Sequence, residues 1–211
     1  LKSMMVDLSE EPLCSRSLPI PVVGRLDVAV SGADESLLIR DSLGRRWIKA
    51  SADCRDQAAA SPGFVSAIES GVVETQSSAG MAYDPRSGDI FTLDTQGRRI
   101  VRIFTRTQGD FDVTAAQMAG RSPWIHLGSL GEITPGALAI NPQNGHLFVL
   151  GLAERTLFEL SETGAIVAVR DLSSVGLGDP RGMVFAPSGD STDDPATMNL
   201  YIADSGLNAK G

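Results

Sequence analysis

Short apolar runs broken by polar turns recur along the chain at a near-constant spacing. Gly80-Met81-Ala82-Tyr83 meets the turn Asp84-Pro85-Arg86-Ser87-Gly88, and Asp89-Ile90-Phe91-Thr92-Leu93-Asp94 resumes beyond it. Ala137-Leu138-Ala139-Ile140, Asn141-Pro142-Gln143-Asn144-Gly145 and His146-Leu147-Phe148 follow the same pattern position by position. Gly182-Met183-Val184-Phe185-Ala186-Pro187 starts the last copy, and Asp27-Val28-Ala29-Val30 is a worn first one. An apolar run, a Pro/Gly/Asn turn and a second apolar run predict a β-hairpin, with Asn144-Gly145 the strongest turn signal of the set.

Each hairpin ends on an anchor: Asp41, Asp94, Gly151 and Asp204, at steps of about 53, 57 and 53 residues. A fixed period in this range signals an array or a propeller. After Asp94 a second turn, Thr95-Gln96-Gly97, leads into Arg99-Ile100-Val101-Arg102-Ile103-Phe104. That stretch alternates as a half-exposed outermost strand should. The third copy continues through Thr156-Leu157-Phe158-Glu159-Leu160, the turn Ser161-Glu162-Thr163-Gly164, and Ala165 to Arg170. Four short antiparallel strands per unit predict an all-β chain of β-propeller blades. The expected blades are 24–77, 78–133, 134–178 and 179–211, the last incomplete, with 1–23 as an irregular lead-in or closing strand. Closed propellers typically use about four to eight blades. Three and a half leave an open sheet edge, to be covered by continuation of the chain or by a partner chain.

Composition narrows the functional classes. A formal charge of −8 and a pI near 4.7 repel a phosphate backbone, so nucleic acid is not an expected partner. No apolar run approaches the roughly 20 residues that span a bilayer, so membrane insertion is not expected. The two cysteines, Cys14 and Cys54, are either a single bridge or two thiols, and they lack metal or redox spacing. A catalytic elbow, a phosphate loop and a dinucleotide fingerprint are all absent from the sequence.

The last copy resembles a known repeat. Pro180-Arg181-Gly182-Met183-Val184-Phe185-Ala186-Pro187, followed by Leu200-Tyr201-Ile202-Ala203-Asp204-Ser205-Gly206, is similar to the NHL repeat of six-bladed propellers. Phe91-Thr92-Leu93-Asp94-Thr95, with Arg98 to Phe104 after it, resembles its continuation. NHL-like propellers include enzymes, scaffolds, RNA binders and receptors, so the resemblance implies a fold rather than a function. The Leu200 to Ser205 segment also resembles calcium-dependent lactonases of the gluconolactonase/SMP-30 type. That resemblance implies a metal-ligand role for Asp204. Arg181 stands where those enzymes have an asparagine, and its charge would repel a cation. No matching glutamate stands ahead of Gly80 or Gly136.

The remaining candidates come from departures from the repeat. Between Pro187 and Leu200 the fourth copy is about eight residues longer than its counterpart and is rich in side-chain oxygens. Asp190, Asp193, Asp194 and Asn199 can bind a partner, or the aspartates can offer hard oxygen ligands to calcium. The plainer alternative is a loop whose Thr192 or Asp193 caps a turn opened by Pro195. Asp41 and Asp94 read as turn-stabilising acceptors. Arg45, Arg46, Arg98 and Arg99 read either as an anion-binding ring or as a solvated strand face. The expected function is a non-catalytic scaffold, without a cofactor, in a secreted or cell-surface protein. It would bind a protein or glycan partner through rim loops. The alternative is a calcium-dependent lactonase or esterase-like hydrolase, its metal held at the channel mouth by Asp190, Asp193, Asp194 and Asp204.

Overall fold

The computed structural model describes residues 26–30, 36–41, 46–51, 64–69, 75, 77–103, 122–188, 192–194 and 196–206. The lead-in 1–23, Cys14, Cys54 and Asp190 lie outside the described residues. The described elements are strands, apart from two 3₁₀ turns at Gly128–Leu130 and Ser173–Val175. The first sheet is β1 (Leu26–Val30), β2 (Ser36–Asp41), β3 (Arg46–Ser51) and β4 (Phe64–Glu69). The second is β5 (Ser78–Tyr83), β6 (Ile90–Asp94), β7 (Arg99–Ile103) and β8 (Trp124–His126). The third is β9 (Pro135–Ile140), β10 (Leu147–Gly151), β11 (Thr156–Leu160) and β12 (Ile166–Asp171). A two-stranded sheet, β13 (Pro180–Pro187) and β14 (Met198–Asp204), follows. Within each sheet the strands pair antiparallel in chain order, and the first strands stack β1 on β5, β5 on β9 and β9 on β13. This is an all-β arc of a β-propeller.

Burial falls from the axis outward, as the strand sequences require. In the third sheet β9 and β10 are buried throughout, while β12 is exposed along nearly its whole length. Strands covered on both faces read as continuous apolar runs, which explains Leu147-Phe148-Val149-Leu150. The expectation for Arg99–Phe104 needs correction. β7 is the third strand of its sheet, and the outermost is Trp124–His126, separated from it by more than one turn length. The alternation of Arg99 to Ile103 reflects two partly covered faces inside the sheet. Asn144-Gly145 also belongs to a longer turn than a two-residue hairpin. The Asn141 carbonyl accepts from Gly145 N–H at 2.8 Å, and its side chain accepts from Gln143 N–H at 2.9 Å. Asp84 repeats both contacts with Gly88 and Arg86.

Three apolar clusters cement neighbouring sheets. Ala29 and Leu38 of the first sheet pack with Met81 and Ile90 of the second. Ala82, Phe91 and Leu93 pack with Leu138, Ile140 and Leu147 of the third. Ala139, Phe148 and Leu157 pack with Met183, Phe185 and Leu200 of the fourth. The same repeat positions therefore face the preceding sheet (Met81, Leu138, Met183) or the following one (Ala29, Ala82, Ala139).

Candidate functional site

The anchors are clasps between the end of the second strand and the residues that lead into the first. In the second sheet the fully buried Asp94 accepts from Ser77 N–H (3.4 Å) and Gly97 N–H (3.1 Å) on one oxygen. Its other oxygen takes Arg99 Nε at 3.0 Å. Ser77 returns a bond, its carbonyl accepting from Thr95 N–H at 2.8 Å. The fourth sheet repeats the device. Asp204 accepts from Gly178 (2.7 Å), Asp179 (2.6 Å) and Gly206 (3.0 Å) N–H, and the Asp179 carbonyl accepts from Ser205 N–H at 3.0 Å.

Gly151, the exception in the series, keeps the clasp by substitution. Leu152 N–H donates to the Thr134 carbonyl at 2.8 Å, and Thr134 N–H donates to the carboxylate of Glu154 at 3.1 Å. A Cβ on Gly151 would lie 2.9 Å from that Glu154 oxygen, so the longer acid from the turn occupies the space of the missing aspartate. Glu154→Ala is expected to cost about 0.5–1 kcal/mol, the value of one solvent-accessible hydrogen bond. Adding Gly151→Asp to that variant is expected to restore the loss, measured by urea unfolding. A double variant less stable than Glu154→Ala alone would refute the exchange.

Arg98 and Arg155 occupy equivalent turn positions, both with left-handed backbone (φ 46° and 49°). Each reaches across to the connection that leads to the next sheet. Arg98 bonds the Gly131 carbonyl and pairs with Glu132, and Arg155 bonds the Leu177 carbonyl. Arg99 lies over the Trp124 ring, 4.0 Å from its centroid, while paired to Asp94. Arg98 and Arg99 are thus internal ties, not members of an anion-binding ring or a bare solvated face; Arg45 and the Arg46 side chain lie outside the described residues. The sequence does carry a sign of the connections they grip: Leu127-Gly128-Ser129-Leu130-Gly131 and Leu172-Ser173-Ser174-Val175-Gly176 match in position. The carbonyls of Arg98 and Arg155 accept from Leu127 and Leu172 N–H.

The acidic loop is exposed at Asp193, Asp194 and Asn199. Asp194 makes a turn: its carboxylate accepts from Ala196 N–H at 2.9 Å, and its carbonyl from Thr197 N–H at 2.9 Å. Ala186 stands where Asp84 and Asn141 supply the capping side chain of the short turn, so that cap is missing from the fourth copy. Gln143 of the neighbouring sheet's turn bonds the Ala196 carbonyl, which ties the loop to the adjacent blade. Asn199 is placed within β14 rather than in the loop itself. Arg181 pairs with Asp179 at 2.5 Å and approaches Ser205 Oγ at 3.4 Å, beside Asp204. Among the described residues no three His, Cys, Asp or Glu side chains converge as a metal site would require.

The hydrogen bond from Gly178, then that from Asp179, holds the Asp204 carboxyl below its ordinary value. A folded-state value below the unfolded one stabilises above the unfolded pKa, near 3.9. That contribution is lost as pH falls through the folded value. Asp204→Asn is therefore expected to melt below the wild type at pH 7, with the gap closing under pH 4. A pH-independent gap would show that the charge contributes nothing.

His146 has a more definite place than its turn position implies. Its Nδ1 lies 2.8 Å from Glu159, whose second oxygen takes Arg170 at 2.9 Å. The His146 hydrogen bond, with help from Arg170, holds the Glu159 carboxyl below its usual range. At the same repeat positions the second sheet has the buried pair Asp89–Arg102, at 2.6 Å. The strand registers Phe148↔Glu159 and Phe91↔Arg102 are equivalent. The third blade thus exchanges acid and base across the same pair of strands, which a residue-by-residue search for histidine chemistry cannot reveal.

No family model matches the chain, and no curated protein matches it. Solved β-propellers do. Virginiamycin B lyase from Staphylococcus aureus superposes with a TM-score of 0.52 at 12% identity, over 91% of this chain and 53% of the lyase. A propeller in the nidogen/laminin complex gives 0.51 at 18% identity, over 86% and 57%. The β-propeller domain of Cps50 (Swd1) from Myceliophteria thermophila gives 0.50 at 11%, over 82% and 53%. The chain spans little more than half the length of the propellers it matches. At these identities the likeness shows the fold.

Proposed function

We propose that this chain is an arc of a non-catalytic propeller scaffold that binds a protein or glycan partner through its rim loops. The carrying observation is the state of Asp204. The carboxylate that the lactonase resemblance assigns to a metal already accepts three backbone N–H groups, with Arg181 beside it. Three of its roughly four acceptor sites are thereby occupied, and the neighbouring guanidinium disfavours a cation. The exposed loop around Asp193 and Asp194 is braced at its base by Tyr201 Oη on the Pro187 carbonyl and by Gln143 on Ala196. A loop fixed at both sides and projecting from a rigid sheet is suited to recognition. A propeller of this shape taking part in the nidogen/laminin complex is consistent with such use. An NHL-like repeat type and a secreted or cell-surface setting complete the reading.

The test replaces residues 188–197 by the short turn sequence of residues 86–88. The variant is expected to melt within a few degrees of the wild type and to lose a partner captured by crosslinking with the wild type. The calcium hydrolase is the reading that would displace it. Turnover on a lactone and ester panel, abolished by EDTA and by Asp204→Asn, with calcium raising the melting temperature as a specific ligand must, would overturn the scaffold.

A further inference from the structure

We infer that the seam between the first and second sheets is a polar lock that fixes which blade docks on which. The anchor end of each seam is built from the same repeat positions, two from each of the sheets that meet there. Between the second and third sheets they hold Gly80 and Leu93 on one side, Pro135 and Val149 on the other. Between the third and fourth they hold Ala137 and Leu150, then Pro180 and Ile202. These two sets are apolar and alike. Between the first and second sheets all the places are polar: Asp27 and Arg40 on one side, Ser78 and Thr92 on the other. They are 7%, 2%, 3% and 0% exposed.

The polar groups find their partners across the seam. Ser78 Oγ donates to the Asp27 carboxylate and lies 3.0 Å from Thr92 Oγ1. Arg40 donates to Thr75 Oγ1, in the lead into β5. It is also the register partner of Asp27. Burial lowers the Arg40 pKa, and the charges of Asp27 and Asp94 work against that shift. Buried ionic groups add little net stability, because their attraction mainly offsets lost hydration. Their effect falls on the alternatives. The apolar half of the seam sets Ala29 and Leu38 against Met81 and Ile90, and Leu138 and Leu147 of the third sheet would fit there equally well. The polar half forbids that exchange. Asp27 and Arg40 would meet Pro135 and Val149, and a buried charge without a partner is strongly unfavourable. Misassembly of like units is a characteristic failure of repeat chains. One distinct seam sets the frame for blades joined in series. The lock uses neither the rim loops nor a partner, so it stands apart from the scaffold reading.

The test gives the first seam an apolar set in the full chain: Asp27→Ala, Arg40→Leu, Ser78→Ala and Thr92→Val. Cysteine pairs report docking during refolding from urea in a glutathione buffer, with Cys14→Ser and Cys54→Ser throughout. Ala29→Cys with Met81→Cys reports the native seam, and Ala29→Cys with Leu138→Cys the wrong one. The fourfold variant is expected to form the wrong disulfide at least about tenfold more than the polar chain, as removal of an unpaired-charge penalty allows. Its urea midpoint is expected to be no lower than the wild type's, whereas Arg40→Leu alone strands Asp27 and lowers it. Asp27→Ala with Arg40→Leu clears both charges and is expected to unfold at higher urea than Arg40→Leu alone. The opposite order overturns the pairing on which the lock rests. A wrong disulfide no more frequent in the fourfold variant than in the polar chain overturns the lock itself. So does a fourfold midpoint below that of Arg40→Leu, which would make the cluster a plain stabilising network.

Discussion

Asp94→Ala is expected to remove about 3 kcal/mol of unfolding free energy, the range seen when one partner of a buried ion pair is deleted. The side chain has no solvent exposure and takes three donors: Ser77 N–H, Gly97 N–H and Arg99 Nε. Truncation leaves a cavity where the two amides and the guanidinium converge, and each deprived donor costs part of its desolvation. Asp94→Asn keeps the oxygen that serves the two amides and loses the charge opposite Arg99, so its loss is expected to be smaller. Urea unfolding should show a lower midpoint with an unchanged slope. A loss below about 1 kcal/mol for Asp94→Ala would mean that the exposed Asp204 clasp and the buried Asp94 clasp are energetically alike, contrary to their burial.

Gly80→Ala is expected to be nearly as damaging, at about 2–3 kcal/mol from backbone strain and overpacking together. Gly80 has φ +139°, a region that residues with a Cβ rarely adopt, and a Cβ there would lie 2.9 Å from the backbone nitrogen of Leu138. The obstacle is main chain on the adjoining first strand β9, so it cannot swing aside. Gly182 is the matched control: it holds the same repeat position, and a Cβ there would meet nothing within 4 Å. Gly182→Ala is expected to melt within about a degree of the wild type. For a chain of this size 2–3 kcal/mol corresponds to roughly 4–12 °C in Tm, so thermal scans separate the two variants cleanly. Equal melting temperatures would show that β5 and β9 are free to move apart at the axis.

These two positions illustrate what is legible in the linear chain. The hairpin repeat, the four-stranded units and the turn role of Asp94 follow from local patterning, and the folded chain has them. The outermost strand of the second sheet does not follow. Trp124–His126 is three residues long, too short for any period to register, and the alternating Arg99–Ile103 imitates an edge. Gly151 resembles the loss of an anchor, because the compensating Glu154 sits three places later and acts only through Thr134. His146 reads as an arbitrary turn residue, since its partner Glu159 lies across a strand pair. Arg98 and Arg99 read as one basic patch, although Arg98 sits in a left-handed turn and Arg99 opens β7, and their partners differ.

The architecture of this protein is thus written in its linear pattern: alternation, turn residues and a period near 55 residues are short-range properties, and strands need little more to be recognised. Beyond such local turn roles, the work of the polar side chains is settled by the folded arrangement. Ser77 and Asp179, donors to Asp94 and Asp204, arrive from 17 and 25 residues away, and how far each carboxylate is engaged depends on those arrivals. The same holds for Asp27 and Ser78. Each is an ordinary strand residue in the sequence, and they acquire a joint role only because the fold sets one against the other across a seam.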